Sequence, residues 1–358
     1  MTAADPATSA PAVPAPAAAA DAAVSTIPEA DWARAVGALR EAGEICLACH
    51  IRPDGDALGS MLAVTQALRA CRPGARIVAS CGDQPFQVPT TLRFLPGVDL
   101  LSPPGSVPAE PELMITFDVS SVDRLGVLAG QAARAGELIV LDHHASNPGF
   151  GTINLIDPAA AATAVLAARL IELLGVPLTA PIATGLYTGL VTDTGSFRFS
   201  TTPRVHRLAA RLLETGIDPG AIADALWDQL PFGYLGVLSA ALRRVVLEPA
   251  EAGGHGLVWT TVTRADRAAD GLPFEVSEPV MEEVRSTGEA DVALVFKESD
   301  EGVWHVSARS KGQSDVGRAC QAMGGGGHSR AAGFSTSQPV PEVMARLREL
   351  LAPGGGAT

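Results

Sequence analysis

The chain has 358 residues, 47% of them apolar and 18% charged, with a formal net charge of −13 at pH 7. That length exceeds one ordinary core, so two or three compact units are expected. The acidic balance argues against coating of long nucleic acid, which depends on neutralising many phosphates, while a short anionic substrate needs only a local basic pocket.

The first 25 residues, MTAADPATSAPAVPAPAAAADAAVS, have neither a basic start nor a Leu-rich run, so no secretory signal is read there. Residues 1–29 are expected to be a disordered Ala/Pro-rich tail. Five cysteines, at 46, 49, 71, 81 and 320, are an odd set for a disulfide framework, and the cytoplasm is the expected compartment. No apolar run is long enough to span a bilayer, so no membrane partner is expected.

In chain order, ADWARAVGALREA at 30–42 carries Trp32, Val36 and Leu39 at helical spacing and stops at Gly43. The apolar run ICLAC then reads as a buried strand that ends at His50 and a PDGD turn, and ALGSMLAVTQALRA at 57–70 resumes helical periodicity. RIVAS at 76–80 is strand-like, LMITF at 113–117 runs into Asp118, and ELIVL at 137–141 runs into Asp142, His143 and His144. Between the last two, VDRLGVLAGQAARAG reads as a crossover helix. Unbroken apolar strands separated by helices predict an α/β fold, a parallel sheet covered on both faces, whose ligands sit beyond the carboxyl ends of the strands.

Helices are expected at 159–174, at 182–191 ending in Thr192-Asp193-Thr194-Gly195, and at 203–214. Residues 216–240 change character and are read as a linker. The remainder, 241–352, is expected to form a smaller mixed α/β unit: a strand at 257–262, a helix at 275–286, and a hairpin of ADVALVFKE with VWHVSARS. A helix at 315–323 then leads into GGGGH, a last strand and a helix at 341–351.

Residues 46–60, CLACHIRPDGDALGS, support two readings. Cys46-x-x-Cys49-His50 matches a c-type haem attachment pattern, which would make the protein an electron carrier. That attachment takes place outside the cytoplasm, and no axial partner is evident. Cys46 and Cys49, three apart on a strand, would also point to opposite faces. In the other reading His50, Asp54, Asp56, Asp118, His143 and Asp193 gather at the strand and helix ends. Four clustered carboxylates call for cations, and a mixed Asp/His set suits Mn²⁺, with Mg²⁺ or Co²⁺ as substitutes. Two ions sharing a carboxylate would use all six residues and could activate a bridging water. Each element alone has a plain structural explanation: PDGD is an ordinary turn, Asp-His-His can cap a helix, and Asp193 can make an Asx turn. Their joint placement favours the metal reading.

HIRPDGDALGS, TFDVSSVDRLG, VLDHHASN and VTDTGSFRFS resemble the four motifs of the DHH phosphoesterase superfamily, and VSARSKG with GGGGHSRAAGF resembles the DHHA1 domain. The similarity is to the nanoRNase/pAp-phosphatase group. It implies a catalytic domain at 30–215 and a DHHA1 substrate-binding domain at 241–352 across a cleft. One Mn²⁺ would lie on His50, Asp54 and Asp118, and a second on Asp56, Asp118, His143 and Asp193, with Asp118 as the bridge. His144 would donate to the phosphate, and Asp142 would orient a metal-bound imidazole. Arg309 and Ser310 would grip a phosphate, while the glycines Gly324, Gly325, Gly326 and Gly327 and then His328 would form an anion loop. His206, His255 and His305 are read as surface or core residues.

The resemblance further implies in-line attack by a metal-bridging hydroxide on short oligoribonucleotides of two to five units, on 3'-phosphoadenosine 5'-phosphate, or on linear or cyclic di-adenylate. It also implies a homodimer. The alternatives are the c-type haem electron carrier and a family II-like inorganic pyrophosphatase, although the latter branch carries a different second domain.

Overall fold

The computed structural model describes residues 26–352. The expected tail lies outside the described residues for 1–25, but its last residues are packed. Ile27 is buried in the first core, Thr26 Oγ1 donates to Asp157 Oδ1 at 2.9 Å, and helix α1 (Glu29–Glu41) starts at Glu29.

Five parallel strands form the first sheet: β1 (Glu44–Cys49), β2 (Arg76–Cys81), β3 (Leu113–Phe117), β4 (Glu137–Asp142) and β5 (Ile153–Ile156), in the order β2-β1-β3-β4-β5. One face packs on α1, α2 (Gly55–Cys71), α4 (Thr163–Leu174) and α5 (Ala180–Asp193) through Leu47, Met61, Phe117 and Leu186. Strand order reverses between β1 and β3, and a sheet of this kind opens a crevice there, at the carboxyl ends.

On the other face the expected crossover helix does not form as one piece. Residues Val122–Leu128 make a 3-10 segment broken at Gly126, followed by the short α3 (Ala129–Ala132). Gly126 has φ 57°, and a Cβ there would come within 2.4 Å of the Ile51 side chain and 2.6 Å of the Gly82 carbonyl. Helical periodicity in the sequence is therefore overridden by close approach to the Ile51 side chain after β1 and to the Gly82 backbone after β2.

Helices α6 (Pro203–Leu213), α7 (Pro219–Trp227) and α8 (Tyr234–Arg243) follow. The stretch expected as a linker is mostly helical. Ile222 of α7 joins the first core, while Tyr234, Val237 and Ala241 of α8 belong to the core of the second sheet, which leaves Asp228–Gly233 as the crossing.

The second sheet is mixed: β6 (Val246–Glu248), β7 (Leu257–Val262), β8 (Val292–Glu298), β9 (Trp304–Ser310), β10 (Gly326–His328) and β11 (Ala331–Thr336), ordered β10-β11-β9-β8-β7-β6. The expected hairpin is β8–β9, antiparallel, with Lys297 opposite His305 and Val292 opposite Ser310. One face packs on α8 and α10 (Val280–Arg285), the other on α11 (Val316–Ala322) and α12 (Val340–Leu351); α9 (Arg264–Ala268) caps the end of β7. The single helix expected at 275–286 is split into a 3-10 turn, Phe274–Ser277, and α10, with Pro279 at the break because its ring cannot continue the turn before it. Among the described residues no helix is long and apolar enough to cross a membrane.

Candidate metal centre and interdomain cleft

His50 leaves the end of β1, Asp118 the end of β3, and Asp142, His143 and His144 the end of β4. Asp54 caps α2: its Oδ1 accepts from the amides of Asp56 and Ala57 at 3.1 and 3.0 Å, leaving Oδ2 toward His50 Nε2 at 3.8 Å. Asp193 closes α5 and brings Oδ2 to 3.1 Å from His143 Nε2. The structure thus gathers all six expected ligands at one point above the sheet.

Two groups of donor atoms emerge, His50/Asp54/Asp118 and Asp56/Asp118/His143, and Asp118 belongs to both. Asp118 sits at φ 60°, a region that non-glycine residues rarely adopt. Its amide donates to the Leu141 carbonyl at 3.0 Å, and its Oδ1 accepts from Thr163 Oγ1 at 2.9 Å. His143 Nδ1 faces the Ala160 carbonyl at 3.1 Å, so that nitrogen carries the proton. Nε2 is buried among three carboxylates, 3.1 Å from Asp193 Oδ2, 3.4 Å from Asp118 Oδ1 and 4.0 Å from Asp56 Oδ2, and although burial opposes it, their charges raise its pKa well above the ordinary value. A buried nitrogen aimed at several carboxylates needs either a proton or a metal cation between them, and with Asp56, Asp118 and His143 offering ligand atoms within 4.8 Å of one another these residues fit a metal.

Asp56 is wholly buried. Its oxygens accept from the amides of Thr163 and Ala164, at 2.6 and 2.8 Å, and from Ser60 Oγ at 3.1 Å, so it caps α4 from another helix. Burial pushes its pKa well up, and the charges of Asp118 and Asp193 push it further. Burial alone would lower the pKa of His50, but Asp118 and Asp54 beside it raise it to about 10. Burial opposes ionisation of Asp118 as well, yet the surrounding imidazoles of His50, His143 and His144 hold its pKa well below the carboxylate range. Protons on imidazoles thus offset the carboxylates where cations would otherwise do so.

The resemblance gave Asp142 the role of orienting a metal-bound imidazole, and the geometry corrects this. Asp142 Oδ1 accepts from His144 Nδ1 at 2.8 Å and from the His143 amide at 2.9 Å, while Asn147 Nδ2 donates to Oδ2 at 2.6 Å. His144 is the imidazole it fixes, with Nε2 turned outward; His143 is held by Ala160 instead. His144 stacks on His328 of the second domain, ring centroids 4.3 Å apart and planes at 15°. Burial, reinforced by the charges of His144 and His143, lowers the His328 pKa to about 4, so it is neutral at pH 7.

Within the glycine run, Gly325 and Gly327 have packing reasons. A Cβ on Gly325 would lie 2.1 Å from the Gly333 carbonyl, and one on Gly327, at φ 136°, 2.5 Å from the Ala331 carbonyl. The run is a tight β10–β11 pairing that presents His328, while Gly324 and Gly326 meet nothing within 4 Å. Arg309 lies on the β9 face that shares the α8/α10 side. Ser310, expected beside it, points to the other face, where Oγ donates to Asp291 Oδ2 at 3.1 Å and accepts from the Gly312 amide at 2.9 Å. Adjacent strand residues point oppositely, so the two cannot grip one phosphate from the same side.

Sequence reasoning missed Arg124, Thr163 and His305. Arg124 Nη2 lies 3.1 Å from His50 Nδ1, and its carbonyl accepts from the Ile51 amide at 2.8 Å. His305, read as a bystander, has Nδ1 3.3 Å from Arg52 Nη1 across the cleft. Arg124 stands inside the quoted TFDVSSVDRLG stretch and could have been flagged there. Thr163 and His305 carry no local signal.

The haem reading fails on geometry. Cys46 and Cys49 are fully buried on opposite faces of β1, in two different cores, so no single porphyrin can reach both.

Residues 44–190 match the DHH family, N-terminal domain, and residues 261–352 match the DHHA1 domain. A bifunctional oligoribonuclease and PAP phosphatase NrnA of Thermus thermophilus is 34% identical over 319 residues, 87% of this chain and 92% of that protein. The chain belongs to the DHH/DHHA1 phosphoesterase family. The cyclic-di-AMP phosphodiesterase GdpP of Geobacillus thermodenitrificans is 28% identical over 231 residues, 61% of this chain and 32% of that protein. The crystal structure of an exopolyphosphatase-related protein from Bacteroides fragilis has the same fold, with a TM-score of 0.80 at 22% identity, covering 91% of this chain and 96% of that one. In this DHH/DHHA1 phosphoesterase the groups His50/Asp54/Asp118 and Asp56/Asp118/His143, which could hold metal ions, lie in the matched N-terminal part, Asp193 lies three residues beyond it, and Arg309 and His328 lie in the matched DHHA1 part.

Proposed function

We propose that this enzyme is a Mn²⁺-dependent phosphohydrolase of short nucleotides: oligoribonucleotides of two to five units, 3'-phosphoadenosine 5'-phosphate, or linear or cyclic di-adenylate. The observation that carries the proposal is the pair of ligand groups joined through the buried, strained Asp118 and faced by His144 and His328. The names of the Thermus and Geobacillus relatives support the same substrate class. The DHHA1 match at 261–352 weighs against the inorganic pyrophosphatase reading, since that branch carries a different second domain. Five free thiols suit a reducing compartment such as the cytoplasm.

His50, Asp54 and Asp118 would hold one ion, and Asp56, Asp118, His143 and Asp193 the other. When bound, such a pair supplies Lewis acidity and lowers the pKa of a water near the phosphorus. His144, anchored through Nδ1 on Asp142, keeps Nε2 free to donate to a phosphoryl oxygen. Burial works against its protonation, but Asp142 and Asp118 raise its pKa, so the donor form is favoured.

A hydrolysis panel with Mn²⁺ tests this: 3'-phosphoadenosine 5'-phosphate, a dinucleotide, cyclic di-adenylate, a long single strand and pyrophosphate. Turnover of one or more of the first three is expected, and turnover of pyrophosphate alone would overturn the proposal. In the same panel Asp118→Ala should lower kcat by roughly a thousandfold or more, because a bridging ligand supports several kcal/mol of charge stabilisation.

A further inference from the structure

Away from the metal centre, the surface carries one concentrated apolar face. Nine large apolar side chains are exposed among the described residues, and seven of them fall between Trp227 and Leu247. They follow the chain from the end of α7 through the crossing Asp228–Gly233 and along α8 to β6. Phe232 is 88% exposed and Leu235 57%. The sequence of α8 accounts for this. Tyr234, Val237 and Ala241 face the core of the second sheet, while Leu235, Leu238 and Leu242 form a second apolar stripe, at i, i+3 and i+7, on the neighbouring flank. With Ser239 and Arg243, that stripe lines a groove of about 420 Å³. A helix apolar on two flanks has two surfaces to bury, and the chain's own core covers one of them.

The face fits a second copy of the chain better than the chain's own tail, because residues 1–25 contain no Leu, Ile or aromatic residue to fill the groove. Taking about 200 Å² for a fully exposed large side chain, the seven exposed fractions leave roughly 700 Å² of surface. The largest apolar patch of a lone soluble chain is typically about 300–600 Å², whereas about 800 Å² per partner makes a standard interface. Charge agrees. The chain carries −13, yet the stretch from Trp227 to Leu247 holds only Asp228, Arg243 and Arg244, and Arg244 pairs with Asp266 of its own domain. Two like-charged chains therefore meet little repulsion at this face. Asp228 precedes α8 and Arg243 ends it, so an antiparallel pair of these helices sets the acid of each copy toward the base of the other.

We propose that the face running from the end of α7 through α8 to Leu247 is the contact with a second copy of this chain. A two-fold axis near Leu238 and Ser239 sets Leu235 of each copy against Leu242 of the other, and Phe232 is the aromatic anchor. The face begins on a helix of the first core and continues on a helix of the second, so one partner touches both domains of each chain. The association is independent of the proposed activity and is read without substrate.

Analytical ultracentrifugation of the full chain across a concentration series tests the contact. The wild type should sediment with the mass of two chains, with a Kd of about 1 µM or tighter. Phe232→Glu and Leu235→Glu should each raise that Kd about a hundredfold or more, because the two-fold axis places every new carboxylate in the apolar contact twice. Both positions are exposed, so circular dichroism of these variants should match the wild type. A second readout is a gain and not a loss. In a Cys71→Ser background, Ser239→Cys should join two copies through a disulfide when oxidised with glutathione disulfide, and adding Phe232→Glu should suppress the link. A wild type that stays monomeric at about 100 µM would overturn the second copy and leave the face to a different protein. A dimer whose Kd is unmoved by both glutamates, with no Ser239→Cys link, would overturn the face.

Discussion

At the scale of single residues the metal centre is a store of protons. The His50 pKa rises from an ordinary 6.5 to about 10 because Asp118 and Asp54 outweigh its burial, and burial with its acidic neighbours pushes Asp56 up as well. For His50 the linkage sign is that of a raised cation: in metal-free protein its contribution to stability is full below about pH 6.5 and is lost as pH rises through about 10. Divalent ions would displace those protons. Metal loading near pH 7.5 should therefore release at least one proton per chain, and affinity should rise with pH. Calorimetric titration in two buffers of different ionisation enthalpy measures this, and metal uptake with no proton release would contradict the ligand assignment. The thiols allow a second check. Burial raises Cys46, Cys81 and Cys320 to about 12 and Cys49 well above its usual value, whereas Cys71 is exposed. A thiol reagent at pH 8 should modify one cysteine quickly in the native chain, and peptide mapping should find it at Cys71, since the thiolate is the reacting form. Rapid labelling of Cys46 or Cys49 would mean that β1 is not buried between β2 and β3.

Between residue and fold, the centre depends on how α2 and α5 cross, because α2 carries Asp54 and Asp56 and α5 carries Asp193. The two helices touch backbone to backbone: a Cβ on Gly59 would lie 2.3 Å from the Gly185 carbonyl, and one on Gly185 would lie 2.6 Å from the Gly59 carbonyl. Gly189 approaches Asp56 Oδ1 just as closely, at 2.6 Å from its own added Cβ. Gly185→Ala should force the helices apart at a cost of about 1–3 kcal/mol, the usual range for overpacking. It should also weaken Mn²⁺ binding, because Asp56 and Asp193 would no longer converge. Thermal melts with and without Mn²⁺ measure both effects, and a melting temperature that still rises with metal as much as in the wild type would show that the crossing does not set the site. This contact also marks where the sequence stops being readable. Strands β1 to β4 were legible because their apolar runs end at polar residues, whereas the short β5 and β6 were not, and the gathering of the six expected ligands was legible because each sits in a short local signature such as PDGD or DHH. The break at Gly126, the opposite facing of Ser310, and the roles of Thr163 and His305 were not legible. Each depends on a contact between segments far apart in sequence: Gly126 on Ile51, Ser310 on Asp291, Thr163 on Asp56 and His305 on Arg52.

Across the whole molecule, each domain holds a part of what the other needs. Under the proposed function the first would supply the metal ligands and the second Arg309 and His328, so a complete site would require the cleft to close. Three contacts hold it closed in addition to the Arg52–His305 approach. His144 stacks on His328, Arg198 Nη2 lies 3.2 Å from Glu282 Oε2, and the Arg285 guanidinium lies over the Phe199 ring, 4.5 Å from its centroid. The Arg198–Glu282 pair is exposed, with side chains 59% and 51% accessible, so solvent and salt leave it little energy of its own. The Arg285–Phe199 contact is less dependent on salt, and a cation over a ring contributes about 0.5–2 kcal/mol. Arg285 also closes α10 and is none of the expected metal ligands, so its removal tests closure separately from chemistry. Arg285→Ala should shift the balance toward open molecules and raise KM by roughly 2–30-fold, the factor that this energy represents. Once substrate has closed the cleft, kcat should change much less, because His144, Asp118 and the other ligands keep their places. Steady-state kinetics on 3'-phosphoadenosine 5'-phosphate, with a melting curve to establish that the fold is intact, separates these effects. A fall in kcat at unchanged KM would mean that Arg285 acts on the chemical step and not on the joining of the two domains.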